Sequence, residues 1–161
     1  MTTPGATRFY RSAGEQAVQT LHARLEPGAR LEWLPLETIA YRGTQSANRL
    51  RFEVGEGATM IGWDLLALGL PAAQAAFDEG RYEQQIELPG LWLDRGVLDA
   101  AEPCFRQLLD SPLGWHRQTA MATMWCARGG ENGSASPESL LEDARAILEA
   151  SPFASRAGDV P

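Results

Sequence analysis

Apolar and polar side chains alternate with a period of two residues along several segments of this chain, which restricts most of it to β-structure. The alternation is clearest in residues 20–25, 49–54 and 81–88, where every second side chain is mostly apolar and the others are mostly charged or polar. A strand points successive side chains to opposite faces of its sheet, so this pattern buries one face of each segment. We therefore predict three half-buried strands.

A short turn motif recurs in the first part of the chain. It occurs as PGAT at residues 4–7, PGAR at 27–30 and EGAT at 56–59, and each copy precedes an extended apolar segment. Such spacing is typical of folds in which each repeat buries its apolar face against the next one. The motif predicts stacked β-layers that resemble a β-helix or solenoid, with Gly5, Gly28 and Gly57 needed for the backbone geometry of the turns.

Three further segments follow these strands. Residues 91–98 fit another strand, joined to 81–88 as a hairpin through the turn dipeptide Pro89-Gly90. Residues 99–109 have weak helical spacing that Pro103 interrupts, so we expect no more than two helical turns there. Residues 117–127 fit either a helix face or a strand, and we interpret them as a strand.

The last part of the chain predicts one long helix. The Gly-rich residues 129–135 are typical of a flexible linker. Ser136 suits the N-cap and Pro137 the first helical position, and an apolar stripe continues to residue 150. The predicted fold class is mainly β, with a β-layered domain segment at 1–128, a linker at 129–135, and one C-terminal α-helix with a polar tail at 136–161.

Charge and hydropathy exclude two classes of partner. The chain contains 14 Arg, no Lys and 21 acidic residues, which gives a net charge of −7. This sign opposes binding to phosphates, so a nucleic-acid partner is excluded. No uninterrupted apolar run is long enough to span a membrane, and the N-terminus lacks the pattern of a secretory signal. We expect a cytoplasmic protein that contacts no membrane.

Few residues stand out as chemical groups, because no common catalytic or phosphate-binding motif occurs. His22 and His116 are far apart in the sequence. His22 is predicted to be a surface side chain, with a transient metal ligand as the alternative, and His116 is predicted to have a surface or capping role. Cys104 and Cys126 are expected to be buried packing residues, although a role as soft metal ligands is the alternative.

Two carboxylates, Glu37 and Asp64, lie within apolar stretches of the sequence. A buried carboxylate is unfavourable unless it is paired. One interpretation pairs each of them with a neighbouring arginine, such as Arg42, Arg49 or Arg51. The other makes them contacts for a hard or borderline divalent cation. An enzyme that uses the two as acid and base is a third possibility, although the sequence offers no nucleophile motif.

Longer segments of the chain carry a more specific signal than any single motif. They are TTPGATRFYRS (2–12), PGARLEWLPLETI (27–39), GWDLLALGLPA (62–72), FDEG (77–80) and LLDSPLG (108–114). In this order they resemble successive blocks of the urease accessory protein UreD, called UreH in some bacteria. Members of that family are longer at both ends, so we expect this chain to be an internal piece that leaves apolar faces in solvent.

The resemblance implies a mainly β accessory protein that is not an enzyme. It implies a cytoplasmic nickel-insertion chaperone that works with UreF and the GTPase UreG, binds the urease apoprotein and passes nickel through an internal tunnel. Nickel is then cargo in transit, and no cofactor is permanently bound. Under this interpretation Glu37 and Asp64, with Glu32 as a weaker candidate, lie on the nickel route. The alternative function is a general β-sandwich or solenoid binding module for carbohydrate or protein.

Overall fold

The computed structural model describes residues 1–130 and 137–152. These belong to two compact units, Met1–Gly129 and Gly130–Pro161. In chain order the strands are β1 (Thr7–Phe9), β2 (Ala17–Leu25), β3 (Arg30–Trp33), β4 (Thr38–Ala40), β5 (Thr44–Val54), β6 (Thr59–Leu68), β7 (Gly80–Leu88), β8 (Trp92–Asp99) and β9 (Ala120–Arg128), and the α-helices are α1 (Pro103–Asp110) and α2 (Pro137–Ala150).

The strands form two sheets. In the sheet we call the β6 sheet, the order is β1-β4-β6-β3, with β9 also paired to β6, and in the β5 sheet the order is β2-β5-β7-β8. All pairs are parallel except β6 with β9 and β7 with β8. Parallel neighbours come from successive passes of the chain, so the predicted mainly β fold of stacked layers is confirmed.

The period-two alternation forms the strands as predicted. On β6, half-buried and buried residues alternate without exception, and β7 follows the same pattern from its third residue. The outward face of the β5 sheet carries ion pairs between neighbouring strands, with Arg51 Nη1 2.7 Å from Glu87 Oε1 and Arg81 Nη1 3.3 Å from Asp99 Oδ2. The hairpin β7–β8 and the strand β9 also confirm the sequence prediction.

The helices agree with the sequence in part. At 14 residues α2 is the longest described helix, as predicted, while the Ser136 cap and residues 131–135 of the predicted linker lie outside the described residues. Pro103 begins α1 rather than interrupting it, and the helix extends to Asp110. Proline is tolerated at this first position because its missing N–H has no acceptor within the helix.

Two other predictions are corrected by the structure. Both cysteines are exposed instead of buried, since Cys104 lies on α1 beside the inward-facing Phe105, and Cys126 lies next to the inward-facing Trp125 on β9. Gly28 and Gly57 have φ of 73° and 66°, as turn glycines require, but Gly5 has no positive φ, and a Cβ there would meet nothing within 4 Å. Gly5 is therefore an ordinary loop position.

The apolar core of the first unit consists of two clusters. The Phe52 cluster contains Leu25, Trp33, Leu50, Phe52, Ala58, Met60, Ile86, Leu88 and Trp125. The Phe77 cluster contains Phe9, Ala40, Leu66, Leu68, Phe77, Tyr82, Phe105 and Trp115. On β6, Asp64 lies between Met60 and Leu66, and on β7 Gln84 takes the equivalent place. Buried polar side chains therefore separate the two clusters.

Candidate functional site

The residues that separate the two core clusters form a line across the β5 sheet. Gln19 of β2 is in register with Asn48 of β5, and Asn48 is in register with Gln84 of β7. Neighbouring residues in register point to the same face of a sheet. Asn48 and Gln84 are buried and Gln19 is half-buried, so three amide side chains line up inside the fold, perpendicular to the strands.

Hydrogen bonds join most of these side chains to the β6 sheet opposite. Thr7 Oγ1 donates to Gln19 Oε1 at 3.0 Å, and Gln19 Nε2 donates to Asn48 Oδ1 at 3.1 Å. Asn48 Nδ2 then donates to Asp64 Oδ1 at 3.3 Å. We call Thr7, Gln19, Asn48, Asp64 and Gln84 the polar row. It connects β1 and β2 at one end of the stack with β6 and β7 near the other.

Gln84 is held in the polar row by a phenol. The Tyr82 hydroxyl donates to Gln84 Oε1 at 3.1 Å, within the same strand. Burial raises the pKa of Tyr82 well above its ordinary value, and the negative charge of Asp64 adds to the rise. Tyr82 therefore stays protonated and acts as a permanent donor to Gln84.

Asp64 is the carboxylate of the polar row and is only 4% exposed. Burial raises its pKa to about 6, the hydrogen bond from Asn48 opposes this rise, and the negative charge of Asp94 adds to it. At neutral pH the group is mostly ionised. It is then an anion in a medium of low polarity, where its attraction for a cation is stronger than in water.

The arginines predicted to pair with Asp64 bind other acids. Arg42 lies 2.7 Å from Asp78, Arg49 lies 3.9 Å from Glu83, and Arg51 is paired with Glu87. Among the described residues no ion pair to Asp64 is formed, so that interpretation of its burial is wrong. These three arginines occupy the exposed outer side of the fold, whereas Asp64 points between the sheets.

The polar row ends beside a residue without a side chain. On β8, Gly96 is in register with Gln84, and a Cβ built on Gly96 would meet nothing within 4 Å. Asp94 lies two residues away on the same face and is half-buried, and Thr123 of β9 is in register with Asp64. A side chain at residue 96 would therefore meet open space, and the recess there is lined by Gln84 together with Arg49, Arg81 and Arg95.

The other two predicted acids lie outside the polar row. Glu37 and Glu32 are both exposed, and Glu32 is 3.0 Å from Arg30. Only the backbone of Glu37 approaches the row, since its carbonyl accepts from the Thr7 N–H at 2.9 Å. In the described part of the chain, no three His, Cys, Asp or Glu side chains are grouped so that they could hold a metal ion.

The histidines are surface groups, as predicted. His22 Nε2 lies 3.1 Å from Glu53 Oε1 with its side chain 55% exposed, and His116 is in an exposed turn. Neither contributes to the polar row.

Sequence reasoning found Asp64 but missed the amides and Gly96. The available signal was a polar residue in the apolar phase of an alternating strand, such as Gln84 between Tyr82 and Ile86. Asn48 stands two residues before Leu50 in the same way. Within its own strand, neither amide differs from an ordinary polar residue. Their alignment follows only from the register between the strands.

The family model described as UreD urease accessory protein matches residues 1–160. The chain belongs to this family. A UreD of Leptothrix cholodnii is 55% identical over 158 residues, covering 98% of this chain and 56% of that relative. A UreD of Albidiferax ferrireducens is 52% identical with the same coverage. The chain thus spans about half the length of the curated relatives it matches.

Membership of the UreD family confirms the resemblance identified from the sequence blocks. It gives the polar row a context, because the relatives are named as urease accessory proteins. No helix in the described ranges is long and apolar enough to cross a membrane.

The polar row offers a particular kind of ligand chemistry. Carboxylate and amide oxygens are hard donors, whereas imidazole and thiolate bind late transition metals more tightly. A divalent cation would meet one anionic oxygen at Asp64 and neutral oxygens elsewhere. Such a set is suited to brief contact more than to storage.

Proposed function

We propose that this chain is a non-catalytic metallochaperone subunit of urease maturation. In this proposal it works with UreF and UreG in the cytoplasm and passes nickel to the urease apoprotein. Family membership supports the accessory role, and the relatives carry the name urease accessory protein. Nickel is the cargo, and the chain keeps no metal of its own.

The polar row is the observation that supports nickel passage most directly. It lies between the two apolar clusters, and hydrogen bonds connect its oxygen-bearing side chains from Thr7 of β1 through Gln19 and Asn48 to Asp64 of β6. Nickel lies near the top of the affinity series for divalent metals, so a closed His/Cys site would retain it. A route built from one carboxylate and neutral amides binds it weakly enough to release it.

Passage requires the row to exchange partners. In this structure Asn48 Nδ2 donates to Asp64 and Asn48 Oδ1 accepts from Gln19, so the oxygens are occupied by amide donors. A passing cation takes these oxygens in place of the N–H groups. Each such hydrogen bond stabilises the fold by about 1 kcal/mol net, and a buried amide N–H that loses its acceptor costs about 1–3 kcal/mol, so the cation contact has to offset that cost.

The exposed acids have a second role in this proposal. Glu37 adjoins Thr7 through its backbone, and Glu32 lies on β3, which pairs with β6. We assign them to electrostatic attraction of the cation outside the row, which salt screens strongly. Asp64 is the contact inside the row, where screening is weak.

The test is urease activation with Asp64→Asn. The variant chain is produced with UreF, UreG and the urease apoprotein, and urease activity is measured across a nickel series. We expect an intact complex but an activation at limiting nickel that falls about tenfold, equivalent to about 1.4 kcal/mol of lost cation attraction, with partial recovery in excess nickel. Normal activation at limiting nickel would contradict the proposal.

Asp110→Asn is the matched control. It makes the same chemical change on a side chain that is 66% exposed and pairs with Arg117 on the surface. The control is expected to activate urease normally. A comparable loss in both variants would point to a general effect of charge and would also contradict the role of Asp64.

A further inference from the structure

The recess in the β5 sheet beside residue 96 is rich in arginine. It is lined by Arg49, Arg81 and Arg95, with Glu83 as its one acid. Arg81 Nη2 lies 3.0 Å from Glu83 Oε1, whereas Arg49 Nη2 approaches Glu83 Oε2 only to 3.9 Å. Arg95 is exposed and, in the part of the chain that the structure describes, forms no ion pair. The recess is therefore positively charged in a chain whose net charge is −7.

Elsewhere on the outer face of this sheet, arginines face an acid on the next strand. Arg51 of β5 is in register with Glu87 of β7, and the two side chains lie 2.7 Å apart. Arg81 of β7 is in register with Asp99 of β8, and these side chains lie 3.3 Å apart. Opposite charges on directly paired residues stabilise a sheet. The sheet thus neutralises these two arginines with its own acids.

One register line between these pairs has no acid. Arg49 of β5 is in register with Gln85 of β7, and Gln85 is in register with Arg95 of β8. We call these three residues the basic line. Adjacent strands are about 4.8 Å apart, so the two arginine backbones are separated by about 10 Å with the glutamine between them. Gln85 Nε2 donates to Glu87 Oε2 at 3.3 Å, and its neutral amide compensates neither arginine.

The basic line is accessible and has apolar neighbours. The Arg49 side chain is 51% exposed. On β8, Leu93 and Val97 lie on the same face as Arg95, one on each side of it, and both are exposed. A guanidinium binds a carboxylate through two parallel hydrogen bonds, and arginine is enriched in protein interfaces. Two arginines beside apolar side chains are therefore suited to a protein segment that carries both carboxylates and apolar groups.

We propose that the basic line is a docking surface for an acidic segment of a protein partner. Carboxylates of that segment bind Arg49 and Arg95, and its apolar side chains pack on Leu93 and Val97. Glutamine at position 85 leaves both arginines available to the partner, where an acid would neutralise them from within the sheet. This surface lies on the outer face and does not involve the polar row.

The test is calorimetric titration of the purified chain with a ten-residue peptide of alternating Glu and Ala, blocked at both ends, at low ionic strength. A peptide in which Gln replaces Glu is the neutral probe. We expect the Glu peptide to bind and the Gln peptide not to bind. Gln85→Glu is expected to lower the affinity about tenfold, equivalent to about 1.4 kcal/mol, because it supplies the missing acid without removing an arginine. Arg95→Gln is expected to lower the affinity by a similar factor.

The matched controls are Gln107→Glu and Arg106→Gln, which make the same two changes at exposed positions of α1. Both are expected to bind the Glu peptide as the wild type does, and melting temperatures are measured for all four variants. A comparable loss in the controls would indicate a general effect of net charge and would overturn the proposal. Unchanged affinity in folded Gln85→Glu and Arg95→Gln would also overturn it.

Two further outcomes assign the basic line to another occupant. Tighter binding of a ten-nucleotide single strand than of the Glu peptide would indicate a site for phosphates and overturn the acidic segment. Sedimentation velocity is run on the wild type and Gln85→Glu without peptide. Self-association that is weaker in Gln85→Glu, together with no binding of the Glu peptide, would assign the surface to a second copy of the chain and overturn the proposal as well.

Discussion

Asp64 places a negative charge inside the fold, where burial makes the ionised form unfavourable. Its carboxyl group has an ordinary pKa of 3.8, which burial raises to about 6 in the folded chain. The folded state therefore binds the proton more tightly than the unfolded state does. The contribution of this group to stability is fully present below pH 4 and is lost as the pH rises through about 6.

We predict that Asp64→Asn stabilises the chain at neutral pH but not in acid. A shift from 3.8 to about 6 corresponds to about 3 kcal/mol at pH 7, since one pKa unit is about 1.4 kcal/mol. Asparagine keeps an oxygen that accepts from Asn48 and carries no charge. Urea unfolding of both chains at pH 4, 5, 6 and 7 measures the difference. A difference that does not change with pH would contradict the assignment.

At the scale of single residues, the sequence was enough to identify Asp64, but the partner predicted for it was wrong. Asp64 was recognisable because a carboxylate in an apolar stretch needs a local explanation. Its actual neighbour, Asn48, is on another strand, and nothing in the local pattern distinguishes an amide partner from Arg49 one residue later. Glu37 carried the same signal and is exposed, because the loop before β4 turns its side chain to solvent.

Among the elements, the turns between strands restrict the backbone conformation most strongly. Gly28 connects β2 to β3 with a φ of 73°, and its N–H donates to the carbonyl of Glu56 at 2.9 Å in the next layer. A residue with a Cβ pays about 1–2 kcal/mol to adopt this left-handed conformation. The turn thus joins adjacent layers as well as adjacent strands.

We predict that Gly28→Val lowers the stability of the first unit by at least this amount, with a correspondingly lower melting temperature. Gly5→Val makes the same change at a loop glycine that has no positive φ and no close neighbour. It is expected to shift the melting temperature little. Equal melting temperatures for the two variants would show that the turn accommodates a side chain.

Element types were predictable here because their signals are local. Alternation within residues 49–54 or 81–88 identifies a strand from its own side chains, and Pro89-Gly90 identifies the hairpin. Pro103 shows the limit of a local rule, since proline breaks a helix in its interior and starts one at its first turn. The pairing of β9 with β6 and the alignment of the polar row depend on register between distant segments, which alternation leaves open.

In the first unit taken as a whole, β8 of the β5 sheet and β9 of the β6 sheet expose apolar side chains to solvent. On β8 these include Leu93, 57% exposed, and Val97, 48% exposed, and on β9 Met124 is 63% exposed. The Trp92 and Trp125 rings of the same two strands lie 5.8 Å apart between their centroids. The predicted exposure of apolar faces is therefore found at β8 and β9.

We predict that the purified chain associates with itself as its concentration rises, through the open edge of β8. An edge strand offers unpaired N–H and C=O groups to a second strand, and exposed apolar side chains strengthen the pairing. Leu93→Lys places a charge on this edge, which disfavours pairing at little cost to the fold. Sedimentation velocity over a series of concentrations is expected to show larger species for the wild type and fewer of them for Leu93→Lys.

Leu113→Lys distinguishes pairing at the β8 edge from non-specific association through exposed apolar side chains. Leu113 is 99% exposed but lies in the turn after α1, where no strand edge is available for pairing. If the β8 edge drives association, this variant behaves as the wild type does, although it removes an even more exposed leucine. If both lysine variants reduce association equally, scattered apolar exposure is the cause. A monodisperse wild-type monomer at every concentration would mean that charges such as Asp94 and Arg95 already protect the edge.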